Sequence, residues 1–328
     1  MMALRVAVIA GGPSSEASVS RASAAGVQRA LVEAGHSVDV LELDGALAGR
    51  LSGGAYDVVF PAVHGAVGED GCLQGLLEVL GLPYVGSSVL ASALAMSKPH
   101  AKVQFRAAAL PLARDMSVRA TGDFDALARR IRAEIGRAVV VKPGSGGSAI
   151  GVETIPSDAG DDVLSAALRR ALELDAVVLV EEFKAGKEVT CAVLEDEQGT
   201  RALPPTLIQP KAAVFYDFRS KYAPQGSAHL CPAPFSADLI ARIQSAAVLA
   251  HTVLGCRDLS RVDFVVDDAA SEITVLEVNT LPGMTATSLF PEAAAAAGIS
   301  FPSLCDGLVR RAAARPRTAA PFAPEMPT

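Results

Sequence analysis

Two short runs late in the chain hold the residue types best suited to chemistry: Arg261-Val262-Asp263-Phe264-Val265-Val266, then a six-residue link, then Ile273-Thr274-Val275-Leu276-Glu277-Val278-Asn279. Side chains alternate faces along a strand. Arg261 and Asp263 therefore share one face, as do Glu277 and Asn279, while Val262, Phe264, Leu276 and Val278 point the other way. An antiparallel hairpin that sets Asp263 opposite Glu277 brings two carboxylates to about 5 Å of each other. Such a pair is repulsive unless a hard cation lies between. Asp, Glu and Asn oxygens together with phosphate oxygens form the ligand set that Mg²⁺ prefers. A solvated acidic hairpin face would show the same one-sided hydrophobicity, so the pattern alone leaves both readings open.

A second candidate is Lys142-Pro143-Gly144-Ser145-Gly146-Gly147-Ser148-Ala149-Ile150-Gly151, directly after an apolar run. Glycines let backbone N–H groups approach phosphate oxygens, and a lysine at the end of a strand supplies charge. The P-loop order of residues is missing, and a plain flexible loop fits as well. Beside a metal-binding hairpin, however, the loop reads as part of a nucleotide site. His64-Gly65-Ala66-Val67-Gly68-Glu69-Asp70-Gly71 and Gly11-Gly12-Pro13-Ser14-Ser15-Glu16 each follow a predicted strand, where open α/β sheets place ligands. Either could equally be a polar connection. The Gly11–Glu16 run is not GxGxxG, so a dinucleotide fold is not indicated.

The elements that must position these residues follow from periodicity. Apolar runs at 4–10, 38–43 and 57–63 alternate with a helical pattern at 18–34, which predicts βαβ units and a parallel sheet. Helices are expected near 70–80 and 88–108, with Pro99 starting, ending or kinking one of them. The middle third predicts strands at 138–142 and 177–181 around a helix at 160–173. The last third predicts strands at 187–194, 262–266 and 273–278 and helices near 236–254 and 303–314. The expected organisation is an N-terminal parallel α/β domain over 1–95, a central α+β domain over 96–183, a C-terminal metal-binding α+β domain over 184–314 and a tail over 315–328. After Arg311 the Ala/Pro/Arg-rich tail has little to bury and is expected to be disordered.

Composition narrows the classes. Half of the 328 residues are hydrophobic, and no apolar run approaches the roughly 20 residues needed to cross a bilayer. The N-terminal apolar run is too short for a signal peptide, which favours the cytoplasm and weighs against a periplasmic binding protein. The 36 acidic residues outnumber the 29 basic ones with no long basic block, which argues against nucleic acid as a partner. The five cysteines stand singly with no CxxC pair, so all are expected to be small buried residues.

Several ordered motifs resemble the D-alanine–D-alanine ligase family. They are Gly11-Gly12 through Glu16 to Val19-Ser20, the His64–Gly71 run with Gln74-Gly75, Pro83-Tyr84-Val85-Gly86, and Lys142-Pro143 with Gly147-Ser148. They continue with Glu181-Glu182-Phe183 and Glu188, Phe215-Tyr216-Asp217-Phe218 with Lys221-Tyr222, Arg261-Val262-Asp263, and Glu277-Val278-Asn279 through Gly283-Met284-Thr285 to Ser288. The resemblance implies an ATP-grasp fold in which the central and C-terminal domains sandwich ATP. It implies ligation of two D-alanines through an acyl phosphate for peptidoglycan precursor synthesis, in a protein that is usually a homodimer. Lys98, Lys142, Gly147 and Ser148 are implied at the ATP phosphates, Glu181 and Phe183 at the adenine, and Glu188 at the ribose. Asp263, Glu277 and Asn279 are implied to hold two Mg²⁺ or Mn²⁺ ions.

The same resemblance puts Glu16 on the ammonium of the first substrate, His64 beside its carboxyl group, and Ser288 with Leu289 on the second substrate's carboxylate. Arg261 and the Gly283 N–H are implied to stabilise the tetrahedral intermediate. Lys221 is implied to approach the transferring phosphoryl group, and Tyr222 to join Ser148 and Glu16 in closing a loop at 215–231 over the site. The chain departs from the family pattern at Ser97-Lys98-Pro99, at Ala149 after Ser148, and at Ala17-Ser18. A ligase using another D-amino or D-hydroxy acid acceptor, and a catalytically silent ATP-binding regulator, are the competing readings.

Overall fold

The computed structural model describes residues 2–119, 122–210, 227–285 and 287–315. Lys221, Tyr222 and the Phe215–Phe218 motif lie outside the described residues, as does the tail from residue 316.

Strands β1 (Arg5–Ala10), β2 (Ser37–Glu42) and β3 (Val58–Pro61) form a parallel sheet in the order β2-β1-β3, as the alternating pattern predicts. Both faces of β1 are covered, which is why it reads as a continuous apolar run. Val6, Val8 and Ala10 face one core, with helix α1 (Ala17–Glu33), and Ala7 and Ile9 face another, with α2 (Leu47–Gly53) and α3 (Cys72–Val79). Helices α4 (Val89–Met96) and α5 (Lys98–Ala107) replace the single segment expected over 88–108. The break falls at Ser97, and Pro99 sits in the first turn of α5, where its missing N–H costs nothing.

An antiparallel sheet in the order β4-β7-β5-β6 follows, from β4 (Asp115–Arg119), β5 (Val139–Pro143), β6 (Glu153–Ile155) and β7 (Val177–Glu182), backed by α6 (Phe124–Glu134) and α7 (Asp161–Leu174). The larger sheet runs β11-β10-β8-β12-β13, with β9 also on β8. Its strands are β8 (Lys187–Asp196), β9 (Gly199–Ala202), β10 (Thr206–Pro210), β11 (Ser227–Leu230), β12 (Leu259–Asp267) and β13 (Glu272–Asn279). Helix α8 (Ala237–Val253) covers one face with Leu239, Ile243 and Ala250, and Phe105 of α5 enters the same core. Helix α9 (Leu289–Ala296) leads to α10 (Phe301–Ala313), which returns to pack on α1 and the first sheet.

Three expectations need correction. Helix α10 continues past Arg311 with Ala312 fully buried, and Arg315 is seated: both its terminal nitrogens donate to Asp258, at 2.8 Å each, and one also donates to the Tyr84 carbonyl. An alanine on the inner face of a helix is enough to bury the last turn, and a buried carboxylate then orders the arginine beyond it. Cys72 is exposed at the first turn of α3, and Cys231 is only half-buried. Leu276 is the third, and it bears on the site below.

The Asp258 turn ties the first sheet to β12. Asp258 is fully buried and accepts the Gly86 N–H at 2.7 Å, while the Arg257 guanidinium donates to the Gly86 carbonyl at 2.7 Å. Next to it, Glu195 is held at about pKa 2, below its usual 4.5, by hydrogen bonds from His251, the Asp258 N–H and Arg311 that outweigh burial. The folded state thus favours the ionised carboxylate, so the stabilisation is complete above pH 4.5 and is lost as pH falls toward 2. Thermal melts over that window should show Glu195→Gln less stable than wild type near neutrality, by at most about 3 kcal/mol, with the gap closing by pH 2. A gap that stays constant across the window would remove Glu195 as an acid-sensitive tie.

Candidate active site

Strands β12 and β13 pair with Arg261 opposite Asn279, Val262 opposite Val278 and Asp263 opposite Glu277. This is the register that the alternation requires, with Val262 and Val278 in the core and the polar residues on the other face. A bulge follows between Asp263 and Phe264, where Val275 becomes the next partner. The extra residue is Leu276. It does not join Val278 in the core, as strict alternation predicts, but lines the same cleft as Glu277, because a bulge places two neighbouring residues against one partner.

Asp263 is a hub. The Arg261 Nε and Nη2 donate to its two oxygens at 2.9 Å each, Thr190 Oγ1 donates at 2.6 Å and Asn279 Nδ2 at 3.1 Å. Glu277 faces the Lys98 ammonium at 3.3 Å. Two opposed carboxylates beside an amide suit a hard divalent cation, and the cations of Arg261 and Lys98 balance the same charges here. Among the described residues no group of three His, Cys, Asp or Glu side chains gathers as a metal site. The remaining ligands would have to be the Asn279 amide oxygen, phosphate oxygens and water, which Mg²⁺ accepts readily.

Lys142 stands near the end of β5, and after Pro143 the glycine-rich loop runs into the cleft between the two antiparallel sheets. Helix α5 supports that loop: the Lys98 N–H donates to Gly144 O at 2.8 Å and its Nζ to Gly146 O at 2.5 Å. Ser148 and Ala149 both take left-handed backbone angles, φ 54° and 56°, a conformation L residues adopt only at some cost. Lys98, Lys142, Gly147, Glu181, Phe183, Glu188, Arg261, Asp263, Glu277 and Leu289 all line this cleft. Val140, Ile150, Val152, Ile208 and Leu276 give it an apolar wall suited to a flat ring.

Glu181 lies deeper than a simple base contact would. It is buried between two ammoniums, Lys142 on one oxygen and Lys102 on the other. Burial pushes its carboxyl upward, but the two lysines outweigh that and hold it below the usual range. Burial likewise lowers the Lys102 ammonium, against the pull of Glu181.

At the other end, Ser148 Oγ donates to Glu16 Oε1 at 2.5 Å, which joins the glycine-rich loop to the first loop of the parallel sheet. Gly65 lets the His64 loop lie close to this first loop: at φ 76° it is left-handed, and a Cβ there would lie 3.0 Å from Ser14. His64 is buried, with Nδ1 3.8 Å from Glu69 and its Nε2 without a hydrogen-bond partner. Burial opposes the imidazolium, but Glu69, with Glu16 behind it, prevails and raises His64 above its ordinary value. Ser288 stands at the N-cap position of α9, but its hydroxyl turns back to accept the Thr285 N–H at 3.0 Å, and a Cβ at Gly283 would lie 2.8 Å from that hydroxyl. Glu16, His64, Asn279, Gly283, Ser148 and Ser288 do not line the cleft itself; bonds to Ser148 of the glycine-rich loop and to Asp263, and chain continuity to Leu289, join some of them to it.

Two residues escaped the sequence reading. Thr190, which holds Asp263, lies two positions after Glu188 on β8 and so on the same face, a period-two signal that was legible. Lys102 lies four residues after Lys98, on the same face of α5.

Comparison with known proteins agrees with this geometry. The chain matches the family model for the D-ala D-ala ligase N-terminus over residues 46–87 and that for the D-ala D-ala ligase C-terminus over residues 103–310. It is 42% identical over 318 residues to a D-alanine–D-alanine ligase of Gluconobacter oxydans, covering 95% of this chain and 100% of that protein. It is 44% identical over 314 residues to one from Acidiphilium cryptum, covering 95% and 99%. Among solved structures, D-alanine–D-alanine ligase of Bacillus anthracis complexed with ATP superposes with a TM-score of 0.79 at 31% identity, covering 95% of this chain and 97% of that one. The enzyme of Coxiella burnetii gives 0.78 at 26% identity, covering 94% and 95%. With these matches the cleft, its paired carboxylates and its lysines have a lineage: the chain is a member of the D-ala D-ala ligase family.

Proposed function

We infer that the chain joins two D-alanines to D-alanyl-D-alanine: ATP transfers its γ-phosphoryl group to the first carboxylate, releasing ADP, and the second amine displaces phosphate from the resulting acyl phosphate, in supply of peptidoglycan precursors. The observation that carries this reading is the register that sets Asp263 opposite Glu277 in one cleft with Lys98 and Lys142. A carboxylate is a poor electrophile, so the first D-alanine must be activated before an amine can attack it. Lys98 and Lys142 supply positive charge for the phosphates, with Gly147 and Ser148 above them. Phe183 and the apolar wall suit the adenine, with Glu181 beyond it, and Glu188 suits the ribose. Asp263, Glu277 and Asn279 would hold Mg²⁺, which supplies charge neutralisation at the phosphoryl group.

Glu16, tied to Ser148, is set to receive the ammonium of the first substrate, and the unpartnered Nε2 of His64 its carboxyl group. Leu289 and Ser288 at the start of α9 suit the carboxylate of the second. Arg261 and the Gly283 N–H are donors for the oxyanion of the tetrahedral intermediate. Lys221 and Tyr222 complete the proposed set. The three sheets support a division of the chain near residues 95 and 183, with α5 and α10 packing across it. No described helix is long and apolar enough to cross a membrane; a cytoplasmic homodimer is the proposed state.

Phosphate release by the purified protein with Mg²⁺ and ATP should depend on D-alanine and yield a product with the mass of the dipeptide. Release with D-alanine but no dipeptide would move the assignment to another D-amino or D-hydroxy acid acceptor. Nucleotide binding with no release would indicate a silent regulator.

A further inference from the structure

Behind the cleft lies a charge arrangement that the nucleotide contacts do not account for. Lys102 projects from α5 to Glu181 with only 1% of its side chain exposed, and Lys142 reaches the other Glu181 oxygen from β5 with 10% exposed. Lys142 lines the cleft; Lys102 does not. Two cations thus share one carboxylate that is itself 4% exposed. The nearby Asp115, whose field also reaches Lys102, is already paired with Arg106. A buried cluster with one positive charge in excess is unfavourable until an anion meets it, and among the described residues the side open to an anion is the cleft face of Lys142.

Without Lys102 the balance changes sign in its consequence. Glu181 and Lys142 would form a closed neutral pair, and a phosphate would have to compete with Glu181 for the Lys142 ammonium. We propose that Lys102 is a positioning residue which satisfies Glu181 from behind and so leaves the charge of Lys142 free for the nucleotide phosphates, without touching the nucleotide. This rests on the reading of the cleft as the ATP site. Its chemistry is specific: the benefit falls on the phosphate chain, and the base and ribose gain nothing from it.

Calorimetric titration with adenosine and with ADP separates the two. In Lys102→Met, ADP binding should weaken roughly tenfold while adenosine binding changes little, and the KM for ATP should rise with the KM for D-alanine unmoved. Lys102→Met combined with Glu181→Gln removes one cation and one anion together, restoring a single excess charge on Lys142. The preference for ADP over adenosine should then return toward that of wild type. Equal losses for both ligands in Lys102→Met, or a double variant that folds and still lacks the ADP preference, would overturn the inference and leave the ATP site standing. If Lys102→Met does not fold, the double variant decides alone. A wild type that binds neither ligand would overturn the nucleotide reading and this inference with it.

Discussion

Asp263→Asn and Glu277→Gln should each cut turnover by roughly 10³-fold or more while the protein stays folded. Both changes keep side-chain shape and remove one negative charge from the opposed pair. An amide at position 263 could accept from only part of the donor set that Asp263 now satisfies, with Arg261, Thr190 and Asn279 all aimed at it. Glu277 meets the Lys98 ammonium at 3.3 Å, and glutamine at that position keeps an oxygen that can accept from it. For that reason Glu277→Gln is the cleaner probe, and part of its loss should be recovered by raising Mg²⁺. Thermal melting should shift little, and Cys72→Ser, at the exposed start of α3, should leave turnover unchanged. Turnover near that of wild type at ordinary Mg²⁺ in either carboxylate variant would refute the metal assignment.

Much of this arrangement was legible because it follows from period-two alternation. The residues from Arg261 to Asp263 and from Glu277 to Asn279 needed only an antiparallel pairing to meet, and their apolar neighbours specified which face would be buried. What alternation could not foresee is the bulge after Asp263, since an extra residue leaves no mark in a pattern of alternating side chains. Leu276 changed faces as a result and became part of the cleft wall. The parallel sheet was likewise readable from its apolar runs, but strands β9, β10 and β11 were not expected. They are short or mixed in polarity; β9 and β10 pair with β8, and β11 pairs in turn with β10. Lys102 escaped for a different reason: a lysine in a helix normally reads as solvated, and only the fold shows that its ammonium is buried against Glu181 of β7. The Asp258–Arg315 pair spans 57 residues and was invisible to any local signal.

Arg261→Met offers the sharpest separation of two roles for one side chain. The Arg261 guanidinium forks onto both oxygens of Asp263 at 2.9 Å, so it already serves as the counter-cation of that carboxylate. A divalent cation seeks the same lone pairs. If Arg261 were no more than a counter-cation, its loss would free Asp263, lower the Mg²⁺ concentration for half-maximal activity and leave kcat in place. As the donor to negative charge that develops only during the reaction, it should instead cost about 10²- to 10³-fold in kcat. The same factor should appear in kcat/KM, since an interaction made only in the transition state affects both alike. Arg261→Lys should fall between: a point charge keeps attraction to the oxyanion but loses the two-pronged geometry. The expected result for Arg261→Met is therefore a lower Mg²⁺ requirement together with a large loss of kcat. A lower requirement with unchanged kcat would confine Arg261 to holding Asp263 and transfer the oxyanion to the Gly283 N–H alone.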